Sequence, residues 1–259
     1  MAGHFNSVKT LSFSPTLDQN SFYLASGSQD NNIRIWKIQP MENLASQPAA
    51  TDETKDATEE TDEWMKQFET KTSFLLRNSQ DVAYNFSLES VLQHHQEAVS
   101  SVCWFTESSD GNQPKSIGDL RLLSSSFDFN VSLWQADAGT EAWSVESTLG
   151  AMVGNKHAFF GAMFLGSLNR ILAYTYGGAM HQWNRQEETN QWKSSLTVKG
   201  HFSEVSDMTW DEHNLALVTT SLDQTTRIFS EHTVPGCWYE IGRPQIHGYD
   251  MNALCCVKN

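Results

Sequence analysis

Three histidine–aspartate pairs carry the residue types that do proton chemistry: His4 with Asp30, His95 with Asp128, and His201 with Asp223. Each has a hydroxyl residue four before the aspartate (Ser26, Ser124, Thr219) and an aromatic residue six after it (Trp36, Trp134, Phe229). Such groups are the raw material of acid–base catalysis. An active site, however, is single, and this set recurs. A buried Asp–His pair is tolerable where each heteroatom has a partner, so the sets read as scaffold. The doublet His94–His95 invites a metal, but neighbours on an extended chain point to opposite sides, and no further ligand stands at ligand spacing. Cys103, Cys237, Cys255 and Cys256 form no C-x-x-C pair and read as reduced core thiols. No P-loop, zinc-protease helix or nucleophile elbow occurs. The expectation is a non-enzyme, with no catalytic, cofactor or metal residues.

The elements that position these residues are short strands. From Gly200 onward, Val205, Met208 and Trp210 read as one strand and Leu215–Thr219 as a second. Asp223-Gln224 makes a tight turn and Thr226–Phe229 a third strand, so the run is a meander. A meander cannot bury both faces alone, and a neighbour of the same kind is needed. The frame indeed recurs at His4, Val8, Asp30 and Trp36, and at His95, Val99, Asp128 and Trp134. Its first strand repeats as Val8-Leu11-Phe13, Val99-Val102-Trp104, Val205-Met208-Trp210 and, in a fragment starting at His247, Met251-Leu254-Cys256. A worn copy has His157 and Trp183, with Ala173 and Gly177 in the hydroxyl and aspartate positions.

On these residues the chain resembles the WD-repeat family, whose fold is a β-propeller of four-stranded blades. The resemblance implies an all-β chain of about four blades plus the start of a fifth, which leaves any ring incomplete. It assigns two structural tetrads, His4, Ser26, Asp30, Trp36 and His95, Ser124, Asp128, Trp134. In the last good copy it assigns His201, Thr219 and Asp223, with Phe229 lacking a ring N–H to donate.

Composition agrees. The 259 residues suffice for a sizeable core, and nine Trp with fourteen Phe suit an aromatic-rich β protein. The net charge of −14 argues against a duplex-DNA binder. The most apolar stretch, Ala158 to Leu172, is too short and too interrupted to span a membrane, and the chain reads as intracellular, cytoplasmic or nuclear. The first repeat starts almost at the first residue, so no blade is expected before it. Residues 40–63 hold eight acids and one lysine, a net −7, and are expected to be a disordered surface insertion. A second polar insertion, Glu107 to Asp119, interrupts the second repeat, and outer strands are expected at Ser87–Leu92, Trp143–Val145, Trp192–Val198 and Cys237–Ile241.

The passage from Asp223 through Trp238-Tyr239-Glu240-Ile241 to Arg243, Pro244, Gln245, Ile246, His247, Gly248, Tyr249 and Asp250 resembles the WD-repeat subunits of the Elongator complex. The resemblance covers essentially the whole chain. It implies a middle piece of a two-propeller protein: late blades of a first propeller over 1–135, a connector over 136–156, and early blades of a second over 157–259. It further implies a non-catalytic scaffold that holds the largest and the catalytic Elongator subunits, touches tRNA only indirectly, and supports wobble-uridine modification. The alternative is a generic WD-repeat adaptor for another complex, which would not need Arg243 to Asp250.

Overall fold

The computed structural model describes residues 3–17, 21–41, 73–77, 83–106, 114, 116–150, 158–195, 200–211, 213, 215–231 and 238–256. They form four antiparallel sheets. The first contains Val8–Phe13 (β1), Phe22–Ser28 (β2), Asn32–Met41 (β3), Ser73–Arg77 (β4) and Ala83–Gln93 (β5), in the order β1-β2-β3-β5-β4. The second runs through Val99–Thr106 (β6), Leu120–Ser126 (β7), Asn130–Ala136 (β8) and Trp143–Gly150 (β9) in chain order. The third comprises Phe159–Phe164 (β10), Arg170–Thr175 (β11), Met180–Arg185 (β12) and Trp192–Ser195 (β13). The fourth comprises Val205–Trp210 (β14), Ala216–Ser221 (β15), Thr225–Glu231 (β16) and Trp238–Ile246 (β17).

The second strand of each sheet is covered on both faces, which is why its sequence does not alternate. In β7, Leu-Arg-Leu-Leu-Ser-Ser-Ser, every residue but Arg121 is buried. Small hydroxyl residues end these strands because the space is tight and each hydroxyl has a partner there: Ser125 bonds Ser100, and Ser126 donates to the carbonyl of Glu97. The turn that follows holds one residue in the left-handed region, Asn31 (φ 66°), Phe129 (67°), Gly178 (73°) or Gln224 (64°). Where an aspartate precedes that residue, its Oδ1 accepts the N–H two positions on, closing the turn.

Each first strand carries a bulge one residue in, at Val8/Thr10, Val99/Ser101, Phe159/Gly161 and Val205/Asp207. The register therefore puts Phe159 in the slot of Val8, Val99 and Val205. The histidine slot four before it is then position 155 rather than His157, and both lie outside the described residues.

Among the described residues, three apolar clusters are shared between neighbouring sheets, and a fourth, Leu24, Trp36 and Ile38, lies within the first. One apolar cluster joins Tyr23, Ile33, Ile35 and Leu92 of the first sheet to Val99, Val102, Leu122 and Trp134 of the second. Another joins Leu123, Leu133 and Leu149 to Phe159, Ile171 and Trp183. A third joins Leu172, Tyr174 and Met180 to Val205, Leu217 and Phe229. Ion pairs follow the same joints: Arg185 of the third sheet meets Glu146 of the second at 2.7 Å, and Arg170 makes a bidentate pair with Glu231 of the fourth, at 2.6 and 3.0 Å. On β1 the matching residues are uncovered, with Leu11 54% and Phe13 61% exposed against 5% and 8% for Val102 and Trp104.

Several expectations need correcting. The strand read as Leu215–Thr219 is Ala216–Ser221, with Leu215 in the exposed turn before it. The insertion read as beginning at 40 begins later, since Pro40 and Met41 extend β3 and pair with Tyr84 and Ala83; residues 42–63 lie outside the described residues. A fifth strand, β4, pairs with β5, which a four-strand repeat does not anticipate. The outer strand expected over 192–198 is described only for Trp192–Ser195. Within the second insertion, Ile117–Asp119 forms a short 3-10 turn that buries Ile117. Residues 251–256 form no strand. They do take the inner-strand place: the N–H of Leu254 donates to Asp207 Oδ2 at 2.8 Å, as the N–H of Val102 donates to Thr10 Oγ1 at 3.3 Å where the second sheet meets the first.

Candidate functional site

The loop before each first strand and the turn after each second strand lie at the same end of an antiparallel meander. The loop histidine therefore reaches the turn aspartate. His4 Nδ1 stands 2.9 Å from Asp30 Oδ2 and its Nε2 2.9 Å from Ser26 Oγ, to which Trp36 Nε1–H donates at 3.1 Å. The second sheet repeats this with His95, Asp128, Ser124 and Trp134 at 2.9, 2.8 and 2.8 Å. In the fourth sheet His201 lies 3.0 Å from Asp223 and 2.8 Å from Thr219. A neutral imidazole that donates its Nδ1–H to aspartate accepts the hydroxyl proton at Nε2, and the hydroxyl accepts the indole N–H. The result is a directed chain from Trp through Ser and His to Asp. Asp Oδ2 also accepts the N–H of the residue after the histidine: Phe5 at 2.9 Å, Gln96 at 3.0 Å, Phe202 at 3.0 Å.

These bonds set the charge states. Burial pushes Asp223 up, but hydrogen bonds from Thr225, Phe202 and His201 outweigh it and hold the carboxyl down at about 2. Asp30 and Asp128 move down for the same reasons, burial opposing and the histidine and main-chain donors prevailing. Burial lowers His201, against the pull of Asp223, so it is the neutral tautomer that sits in the chain. Every polar atom of the three sets is committed to partners inside the sheets.

The fourth sheet compensates for Phe229. Thr225, in the place of Asn32 and Asn130, donates to Asp223 Oδ1 at 2.6 Å and lies 3.2 Å from His201 Nδ1. The third sheet has neither the hydroxyl nor the aspartate, since Ala173 and Gly177 occupy those positions. Its Trp183 packs against Phe159, ring centroids 5.9 Å apart, and stacks on His181. His94 is not presented for a metal: its Nε2 is 3.3 Å from Thr148 Oγ1 and its ring stands edge-on to Trp134.

The segment Arg243 to Asp250 splits in two. Arg243, Pro244, Gln245 and Ile246 complete β17, and Arg243 pairs with Glu240, which also holds the buried Arg227 at 2.6 Å. His247, with its Nε2 3.1 Å from Thr226 Oγ1 and its N–H donating to the Gln224 carbonyl, leads into exposed Gly248, Tyr249 and Asp250.

Two repeating features escaped the sequence reading. Trp143, Trp192 and Trp238 open the outer strands of three sheets, each nine residues after the core aromatic (Trp134, Trp183, Phe229). That constant spacing was the available signal. The second is that glycine precedes the histidine where an arginine lies two before the core aromatic: a Cβ on Gly3 or Gly200 would come within 3.2 or 3.1 Å of the guanidinium of Arg34 or Arg227.

Four sheets in series, three of them locked by the same His–Asp–hydroxyl set, have the architecture of WD-repeat β-propeller blades. In agreement, the profile of the family described as WD domain, G-beta repeat matches residues 1–37, 86–135 and 192–230. Most of the third sheet, where the tetrad is worn, falls outside these ranges. The particular resemblance is to Elongator complex protein 2. The chain is 35% identical to that protein of Drosophila melanogaster over its whole length, 30% identical to that of Dictyostelium discoideum over its whole length, and 32% identical to that of Homo sapiens over 91% of its length. It spans 31, 32 and 27% of those three proteins, about a third of their length. The likeness to WD-repeat Elongator subunits read from the sequence is thus borne out across the chain.

Proposed function

We propose that this chain contributes part of a non-catalytic scaffold in the Elongator complex, holding other subunits, the largest and the catalytic one among them. The observation that carries this reading is the whole-length similarity to proteins named Elongator complex protein 2. The tetrads support it, because their titratable atoms are spent on internal bonds rather than turned toward a substrate. On this reading the tetrads are structural, tRNA wobble-uridine modification is served indirectly, and the chain works in the cytoplasm or nucleus. The division into two propellers at 136–156 is part of the same proposal. The residues there include β9, whose Leu149 shares a core with Phe159 of the next sheet.

The test is affinity purification of the tagged chain from its native cells, with bound proteins identified by mass spectrometry. Recovery of the largest and catalytic Elongator subunits supports the assignment. A consistent set of unrelated partners replaces it with a generic WD-repeat adaptor.

A further inference from the structure

Several exposed aromatic residues share one end of the sheets, while Phe13 and Tyr239 lie at the other. Phe5 and Phe202 follow the loop histidines, Tyr249 follows His247, and Phe129 and Tyr176 sit in the turns after the second strands. By the topology of the meander all of them lie at the His–Asp end of the sheets, with Phe5 91%, Phe202 85%, Tyr249 86% and Tyr176 55% exposed. Exposed apolar surface gathered at one end of a protein marks a place of interaction.

Within it one cluster is built. Phe160 is the residue pushed out by the bulge at the start of β10, and it bridges two turns. Its ring centroid lies 5.2 Å from that of Phe127 in the second sheet and 5.7 Å from that of Tyr176 in the third. Glu204 stands at one end of this ladder, and Glu97 lies in the loop that meets the other. Glu204 of the next blade stands beside Tyr176 and raises the pKa of its hydroxyl, while exposed Glu97 immediately precedes Ala98, whose carbonyl accepts the N–H of Phe127 at 3.1 Å. Gly178 fixes the distance between Tyr176 and Glu204. It sits at φ +73°, and a Cβ there would stand 2.5 Å from the carbonyl oxygen of Ser203 and 3.0 Å from that of His201. Only glycine lets the third turn close onto the fourth loop so tightly.

We infer that the Phe127–Phe160–Tyr176 ladder, flanked by Glu97 and Glu204, is a docking site for a lysine or arginine side chain of a partner protein. The inference rests on the scaffold reading for the setting, and on this cluster for the chemistry. Aromatic faces attract a cation through their negative quadrupole, and a carboxylate at the rim neutralises it. The Glu204 carboxylate beside Tyr176 is the acceptor for such an ammonium or guanidinium. The same end of the molecule already uses this pairing internally, with the Arg227 guanidinium 5.4 Å from the centroid of Phe202. The overall charge of −14 favours approach of a basic segment.

The full chain labelled with 3-fluorotyrosine would be titrated with N-acetyl-arginine amide, N-acetyl-lysine amide and N-acetyl-glutamine amide. Six tyrosine resonances are followed, and that of Tyr176 is assigned by its loss in Tyr176→Phe. The two cationic probes should shift Tyr176 saturably and the glutamine probe should not. Glu204→Gln, and Phe160→Leu melting at the wild-type temperature, should each weaken the cationic probes roughly threefold to tenfold. A Tyr176 resonance that ignores the cations, that follows glutamine equally, or whose titration neither variant changes, overturns the inference. The affinity purification separates this from the assignment. Elongator subunits recovered equally by wild type and Glu204→Gln, without probe binding, remove the docking site alone. Probe binding without those subunits removes the assignment alone.

Discussion

His94 stands edge-on to Trp134, ring centroids 5.8 Å apart, in the slot that glycine fills in the first and fourth sheets. The residue two before the core aromatic decides which is allowed. It is Ser132 beneath His94, and Arg34 or Arg227 beneath Gly3 or Gly200. A long guanidinium and a side chain before the histidine exclude one another.

Gly200→Ala follows directly. The new Cβ would lie 2.9 Å from Phe229 Cζ and 3.1 Å from Arg227 Nη1, so both neighbours must move. The expected loss is about 1–3 kcal/mol by denaturant titration. His94→Gly opens no such conflict and should cost less than about 1.5 kcal/mol.

The tetrad hydroxyls should not be equivalent. Ser124 serves His95 and accepts the Trp134 indole N–H, whereas Thr219 faces Phe229, which has nothing to donate. Ser124→Ala strands two buried partners and Thr219→Ala one. We expect Ser124→Ala to be the costlier by about 1 kcal/mol, each variant falling in the range of about 1–3 kcal/mol.

Acid should loosen the fourth sheet in two stages. His201 is depressed in the folded chain, so its contribution is complete above the unfolded histidine value near 6.5 and fades as pH falls below that. Asp223 is also depressed, to about 2, so its contribution is complete above the ordinary value of 3.8 and is lost as pH falls toward 2. Asp223→Asn should flatten the lower stage in melting temperatures followed from pH 7 to 2. A lower stage that keeps its slope in that variant would exclude the His201–Asp223 pair as its source.

Equivalent positions should respond according to cover. Val102 is 5% exposed against the first sheet, while Leu11, its counterpart on β1, is 54% exposed in this chain. Val102→Ser should cost about 2–3 kcal/mol and Leu11→Ser less than about 0.5 kcal/mol. Comparable losses would mean that something covers β1.

Most of the fold was legible because the tetrad residues are few, polar and fixed in spacing. Asp30, Asp128 and Asp223 announce a turn, and Trp36, Trp134 and Phe229 the strand after it. The third sheet was harder to read, because Ala173 and Gly177 carry no hydrogen-bonding signal and Phe159, two residues after His157 rather than four, fills the first-strand slot. The apolar run Phe74-Leu75-Leu76 marks ordered chain, but its pairing with β5 lies outside the repeat frame and could not be read from it. The outer-strand tryptophans were placed on their strands, but their constant spacing of nine residues from the core aromatic was overlooked. Nothing in the spacing of Phe127, Phe160 and Tyr176 brings them together; two turns and a bulge from neighbouring sheets do so.

The shared cores carry a consequence for how such a chain tolerates insertion and loss. Each joint buries one face of a blade against the opposite face of the next, as Ile33 and Ile35 lie against Val99 and Val102. Deleting half a blade would juxtapose two like faces and ruin two joints. Deleting or duplicating a whole blade would restore the same pair of unlike faces. Length changes in this architecture are therefore quantised: lineages can gain or lose complete blades, or lengthen the loops between strands, with little tolerated between those scales.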